Sequence, residues 1–125
     1  MTRPIALVID DEPDIRDVIA FVLDQSGFEV HEESDGQAGL AAASAVHPDV
    51  ILLDWMMPQM SGIEVCKALR QDIDQRSTIV ILLSARAQEK DIELGYAAGA
   101  TDYIMKPFRP KELVSRVQAL LAQAE

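Results

Sequence analysis

Asp10-Asp11, Asp54, Ser84 and Lys106 each directly follow an apolar run, and together they carry the groups that forming an acyl phosphate demands. Val50-Ile51-Leu52-Leu53 reads as a strand buried on both faces, so the acid after it is rigidly held yet points out of the sheet. Asp54 is therefore read as a nucleophile that accepts a phosphoryl group. Three carboxylates gathered at one rim raise one another's proton affinity unless a cation offsets them. The donors are hard oxygens on a shallow rim. That favours Mg2+, which keeps most of its waters, with Mn2+ as a substitute, over the many-oxygen cage of calcium. Lys106 supplies a point charge to one phosphoryl oxygen and the Ser84 hydroxyl a hydrogen bond to another. Singly these residues say little: an acidic pair is more often a solvated turn than a metal site. Their joint placement at strand ends carries the reading.

The elements that must position them follow from periodicity. Strands are expected at Ile5–Ile9, Phe28–His31, Val50–Leu53, Ile79–Leu83 and Asp102–Met105. Pro13 starts the first helix, in which Ile15, Val18, Ile19 and Val22 form an i, i+3, i+4, i+7 stripe ending at Gly27. Asp35 caps an alanine-rich second helix that stops before His47-Pro48. Ser61 and Glu64 make a capping box for a third, to about Gln71. A fourth runs between Gln88 and Ala98, with Gly95 inside it at a cost of about 1 kcal/mol relative to alanine. Pro110 starts the fifth, with Leu113, Val117, Leu120 and Leu121 on one face; Arg109 before it is a poor cap. This fivefold β-α alternation predicts an α/β fold, a doubly wound parallel sheet with helices on both faces and ligands bound beyond the carboxyl ends of the strands.

At 125 residues and 49% hydrophobic content, one domain spanning 1–125 is expected, with no output domain within the chain. Eleven basic residues against twenty-one acidic give a net charge of −10, which opposes direct nucleic-acid binding. Cys66 stands alone, so no internal disulfide is possible, and it reads as a small apolar helix residue. His31 and His47 read as surface or loop residues without metal partners. No run has the length of a membrane span or the form of a signal peptide, which points to a cytoplasmic address without membrane contact.

The order Asp10-Asp11, Asp54 with Met57-Pro58 and Gly62 behind it, Ser84-Ala85, then Asp102-Tyr103 leading to Lys106-Pro107-Phe108 resembles the receiver domain of bacterial two-component response regulators, over essentially the whole chain. The resemblance implies a flavodoxin-like sheet of order 2-1-3-4-5. It implies that Asp54 takes its phosphoryl group from a sensor histidine kinase or a histidine phosphotransfer protein. Asp11 would then touch Mg2+ directly, Asp10 partly through water, and Met56 through its backbone carbonyl. Ser84 and Tyr103 would form a switch pair, and Lys106-Pro107 is similar to the family's cis peptide. The added charge would repack the face of the fourth helix, fifth strand and fifth helix, to control a downstream protein or output domain. Met56 and Arg86 occupy positions that tune water access in relatives. The segment from Lys106 to Leu113 looks like receivers joined to winged-helix DNA-binding domains, which often dimerise through that face. Thr101 stands where they often carry an acid for that dimer. The chain would then be a phosphorylated switch and no enzyme beyond self-phosphotransfer and slow autodephosphorylation.

Two alternatives stay open on the residues. One is a receiver-like binding module that works without phosphate. The other is a metal-dependent phosphohydrolase, although Met56 stands where such enzymes commonly present a second acid. A nucleotide-binding flavodoxin-like protein fits poorly, because no glycine-rich phosphate loop is present.

Overall fold

Apolar runs of four to six residues cannot bury themselves, and here they pair side by side with a helix returning the chain after each. In the computed structural model, which describes residues 2–124, the strands are β1 (Ile5–Ile9), β2 (Glu29–Glu33), β3 (Val50–Asp54), β4 (Ile79–Ser84) and β5 (Asp102–Met105). Between and after them lie α1 (Pro13–Gln25), α2 (Gly36–Val46), α3 (Gly62–Gln71), α4 (Glu89–Ala97) and α5 (Pro110–Ala124). All pairs are parallel and the order is β2-β1-β3-β4-β5, as expected. β3 lies at the centre with all five residues buried, Leu53 beside Ile9 and Asp54 beside Leu83.

The pleat sorts side chains by parity into two cores. Leu7, Ile9, Ile51, Leu53, Val80, Leu82 and Tyr103 pack with Ala43 of α2 and Val65, Cys66 and Leu69 of α3. Ala6, Val8, Val50, Leu52, Ile81, Leu83 and Ile104 pack with Ile19 and Leu23 of α1 and Leu113 and Val117 of α5. Asp10 and Asp54 continue the second face beyond the apolar run; Ser84 continues the first. Two α2 glycines explain its small composition: a Cβ at Gly39 would come within 2.9 Å of Ile9 Cγ1, and one at Gly36 within 2.9 Å of Val65 Cγ2.

The caps at Asp35 and Ser61 form as expected, Asp35 accepting from Ala38 N–H and Ser61 and Glu64 bonding reciprocally. Three expectations are corrected. The buried stripe of α1 is Ile19, Ala20 and Leu23, with Ile15 and Val22 half-buried and Val18 exposed, because the helix turns its i, i+4 edge to the sheet. β2 begins one residue later and ends two later than expected, since its polar residues pair with β1 as an edge strand needs no apolar alternation on its open side. Trp55, which by its place just after the acceptor strand reads as a partly exposed loop aromatic, is instead buried, at 6% exposure. It keeps the parity of Ile51 and Leu53 and meets the Tyr103 ring edge-on at 6.0 Å between centroids.

Gly95 in α4 serves close approach. A Cβ there would lie 3.0 Å from the Tyr103 ring and 3.1 Å from Leu82. At the opposite end of the sheet, Arg70 donates to the carbonyls of Gly99, Gln75, Arg76 and Thr78 and to Thr101 Oγ1. Thr101 Oγ1 also accepts from Val80 N–H, which ties this residue into the start of β5. No helix among the described residues is long and apolar enough to cross a membrane.

Candidate functional site

The carboxyl ends of β1 and β3 deliver Asp10 and Asp54, both buried, with Asp11 partly open beside them. One carboxylate oxygen from each lies within 4.8 Å of the others. Lys106, just past β5, reaches back across this group: Nζ is 2.8 Å from Asp54 Oδ1 and 3.5 Å from Asp10 Oδ2. Backbone bonds fix these positions. Lys106 N–H donates to the Ser84 carbonyl at 2.8 Å, Trp55 N–H to Leu83, and Asp10 N–H to Glu33. Asp10 Oδ1 accepts from Glu12 N–H, and Arg16 donates to the Asp10 carbonyl, so α1 holds the acidic turn from below. The Lys106-Pro107 peptide is cis.

Three acids face one ammonium. Their donor set is all oxygen and leaves an excess of negative charge, which fits a hard divalent cation held by Asp10, Asp11 and Asp54. Burial pushes the Asp54 carboxyl up to about 6, the hydrogen bond from Lys106 opposes this, and the charges of Asp10 and Asp11 add to it. Burial alone would lower Lys106, but its hydrogen bond to Asp54 and the charges of Asp54 and Asp10 outweigh that and hold the ammonium above its ordinary range. Cys66 lies away from this rim, its thiol pushed up by burial, and plays no part.

The Asp54 shift has a stability consequence with a definite sign. A carboxyl harder to ionise in the folded than in the unfolded chain costs stability as pH rises from about 3.8 to about 6, and the full cost persists above that. Metal-free protein is therefore expected to gain about 1 kcal/mol from this group between about pH 7 and pH 5. Urea unfolding in a chelator measures it. A flat or falling stability over that interval, relative to Asp54→Asn, would contradict the assignment.

Ser84 and Tyr103 occupy the other face. Ser84 Oγ, buried, accepts from Arg86 N–H at 3.0 Å, and Tyr103 Oη donates to the Arg86 carbonyl at 2.7 Å, so the ring already lies inward. Met56 stands two residues past Asp54 with its side chain exposed and its sulfur 3.5 Å from Arg86 Nη1. The resemblance gives Arg86, with Met56, a place that tunes water access, and the structure adds a contact beyond it. Its guanidinium covers the Trp55 ring at 4.9 Å, a contact that the parity of Ile51, Leu53 and Trp55 would have suggested.

Comparison with known proteins agrees with this geometry. A sequence profile for the response regulator receiver domain matches residues 6–118. The chain is 43% identical over 119 residues to the DNA-binding response regulator MtrA of Mycolicibacterium smegmatis, covering 95% of this chain and 51% of MtrA. It is 44% identical over 115 residues to the phosphate regulon transcriptional regulatory protein PhoB of Escherichia coli, covering 92% and 50%. The chain thus spans about half the length of these curated relatives. Among solved structures, the chemotaxis response regulator CheY4 of Vibrio cholerae superimposes with a TM-score of 0.90 at 34% identity, covering 94% of this chain and 98% of that one.

Proposed function

The chain belongs to the response regulator receiver domain family, and from that premise we propose that Asp54 is its phosphoacceptor, charged in a Mg2+-dependent step by a sensor histidine kinase or a histidine phosphotransfer protein. The observation that carries this is the Lys106 ammonium bridging Asp54 and Asp10 inside a cluster of three carboxylates. Asp54 attacks phosphorus through a carboxylate oxygen, the donor's imidazole leaves, and an acyl phosphate forms. Lys106 balances the charge that the group brings. Ser84, one residue beyond the β4 partner of Asp54, hydrogen-bonds a phosphoryl oxygen. Asp10, Asp11, Asp54 and the Met56 carbonyl would hold the metal, which when bound would neutralise phosphoryl charge.

Residues 1–125 act as one receiver unit, a switch whose only chemistry is taking and slowly losing its own phosphoryl group. The output face is α4, β5 and α5, where Leu94, Tyr96 and Met105 are exposed apolar side chains available to a downstream protein, an output domain or a second copy. Arg116 pairs doubly with Asp102 on that face, at 2.7 and 2.6 Å. The net charge of −10 supports no direct nucleic-acid contact by these residues.

Trp55 tests the reading. Its buried ring under Arg86 is expected to change fluorescence on adding Mg2+, and again on adding beryllofluoride, a phosphoryl mimic, only with Mg2+ present. No response to beryllofluoride in the presence of Mg2+ would count against a phosphoacceptor.

A further inference from the structure

The positions that α4 buries are Asp91 and Gly95. In its first turn a carboxylate takes the place where an apolar anchor ordinarily sits. The Asp91 side chain is 9% exposed, and the cation that meets it is Arg86, with Nε 3.4 Å from Oδ1. An acid in the first turn is favoured by the helix N-terminus, but a solvated carboxylate would serve that purpose equally. A buried one needs a paired charge. Arg86 is also where the rest of the readout converges. Its N–H holds Ser84 Oγ, its carbonyl holds Tyr103 Oη, and its guanidinium lies over Trp55 with Nη1 against Met56 Sδ.

We propose that Arg86 is the positioning residue that couples occupancy of Asp54 to α4, and that its ion pair with Asp91 is the link. This rests on the phosphoacceptor reading and names the route by which the site is read out. A phosphoryl group on Asp54 offers the Ser84 hydroxyl a charged acceptor, stronger than a neutral one. Reaching it draws Oγ off the Arg86 N–H, and the segment from Ser84 to Arg86 re-seats. The guanidinium moves with its backbone. The first turn of α4 must follow, or Asp91 is left buried without its counter-charge. A pair whose arginine is 44% exposed adds little static stability. The large apolar side chain that α4 packs on the core is the half-buried Ile92, and in a helix so lightly anchored a small bias is enough to shift its position.

Hydrogen exchange of amides 89–97 tests this, with and without beryllofluoride and Mg2+, in the wild-type chain, Arg86→Ala, Asp91→Asn and the double variant. In the wild type the mimic is expected to change α4 exchange by about fivefold or more, and in either single variant by less than about twofold. The double variant should lose no more than either single, because both act through one contact. Arg86→Lys keeps the charge and should retain part of the response. Asp91→Asn is isosteric, and bound beryllofluoride, read by fluorine NMR, should persist in it. A full α4 response in Asp91→Asn, or additive losses in the double variant, would overturn the coupling. Absence of bound beryllofluoride in the wild-type chain would overturn the phosphoacceptor reading itself.

Discussion

Asp54→Asn is expected to abolish acyl-phosphate formation and, in metal-free protein at neutral pH, to stabilise the fold. The first effect follows because an amide offers no nucleophilic carboxylate, and the other acid that Lys106 meets, Asp10, lies farther from it, at 3.5 Å against 2.8 Å. Phosphorylation by a small acyl-phosphate donor should fall by roughly a thousandfold or more. The second effect follows from burial. Asp54 is 3% exposed and stands among like charges, which push its carboxyl up to about 6, so its ionised form is a cost that the asparagine does not carry. The gain is expected at about 1–2 kcal/mol, below the full value of the shift because the substitution also removes a partner of Lys106. Urea unfolding of both proteins in a chelator measures it. A substitution that silences the chemistry while strengthening the fold marks a site kept for function at the expense of stability. Equal or lower stability of Asp54→Asn at neutral pH would contradict this electrostatic description.

Gly62→Ala is expected to destabilise the protein by about 3 kcal/mol and to disrupt the loop after Asp54. A Cβ at Gly62 would overlap the Asp54 carbonyl oxygen and lie 2.9 Å from Trp55 Cα. All of these are backbone atoms, so no side chain can swing aside. The Gly62 N–H also donates to the Trp55 carbonyl at 2.9 Å, and this bond folds the loop back over the end of β3. Moving α3 away to admit the methyl group would disturb Val65, Cys66 and Leu69, all buried against the sheet. Thermal unfolding and Mg2+ affinity read the two consequences separately. Unchanged values for both would show that the loop has room the structure does not indicate.

Much of this architecture is legible in the sequence because strand burial and helix capping are local signals. Val50 to Leu53 could be read as a strand buried on both faces, and Ser61 and Glu64 as a helix start, without knowing the tertiary partners. The order of the strands was not legible from periodicity and came from the resemblance, since parallel crossovers leave no mark of which edge they join. The stripe of α1 was displaced because Ile15, Val18, Ile19, Val22 and Leu23 fit more than one helical face, and only the sheet decides that Ile19 and Leu23 turn inward. Trp55 was misplaced for a simpler reason. A residue after a strand reads as loop, yet alternation with Ile51 and Leu53 carries its side chain into the core. Asp91 gave no sign of its burial, because an acid in the first turn of a helix ordinarily faces water. Its position depends on Arg86, and that pairing exists only once β4 and α4 are packed.

The central claim is that Asp54 receives the phosphoryl group. Treating the protein with acetyl phosphate and Mg2+, reducing with borohydride and mapping the peptides should convert residue 54 alone to homoserine, with no conversion when a chelator replaces the metal. Conversion at another carboxylate, or none with Mg2+ present, would contradict it.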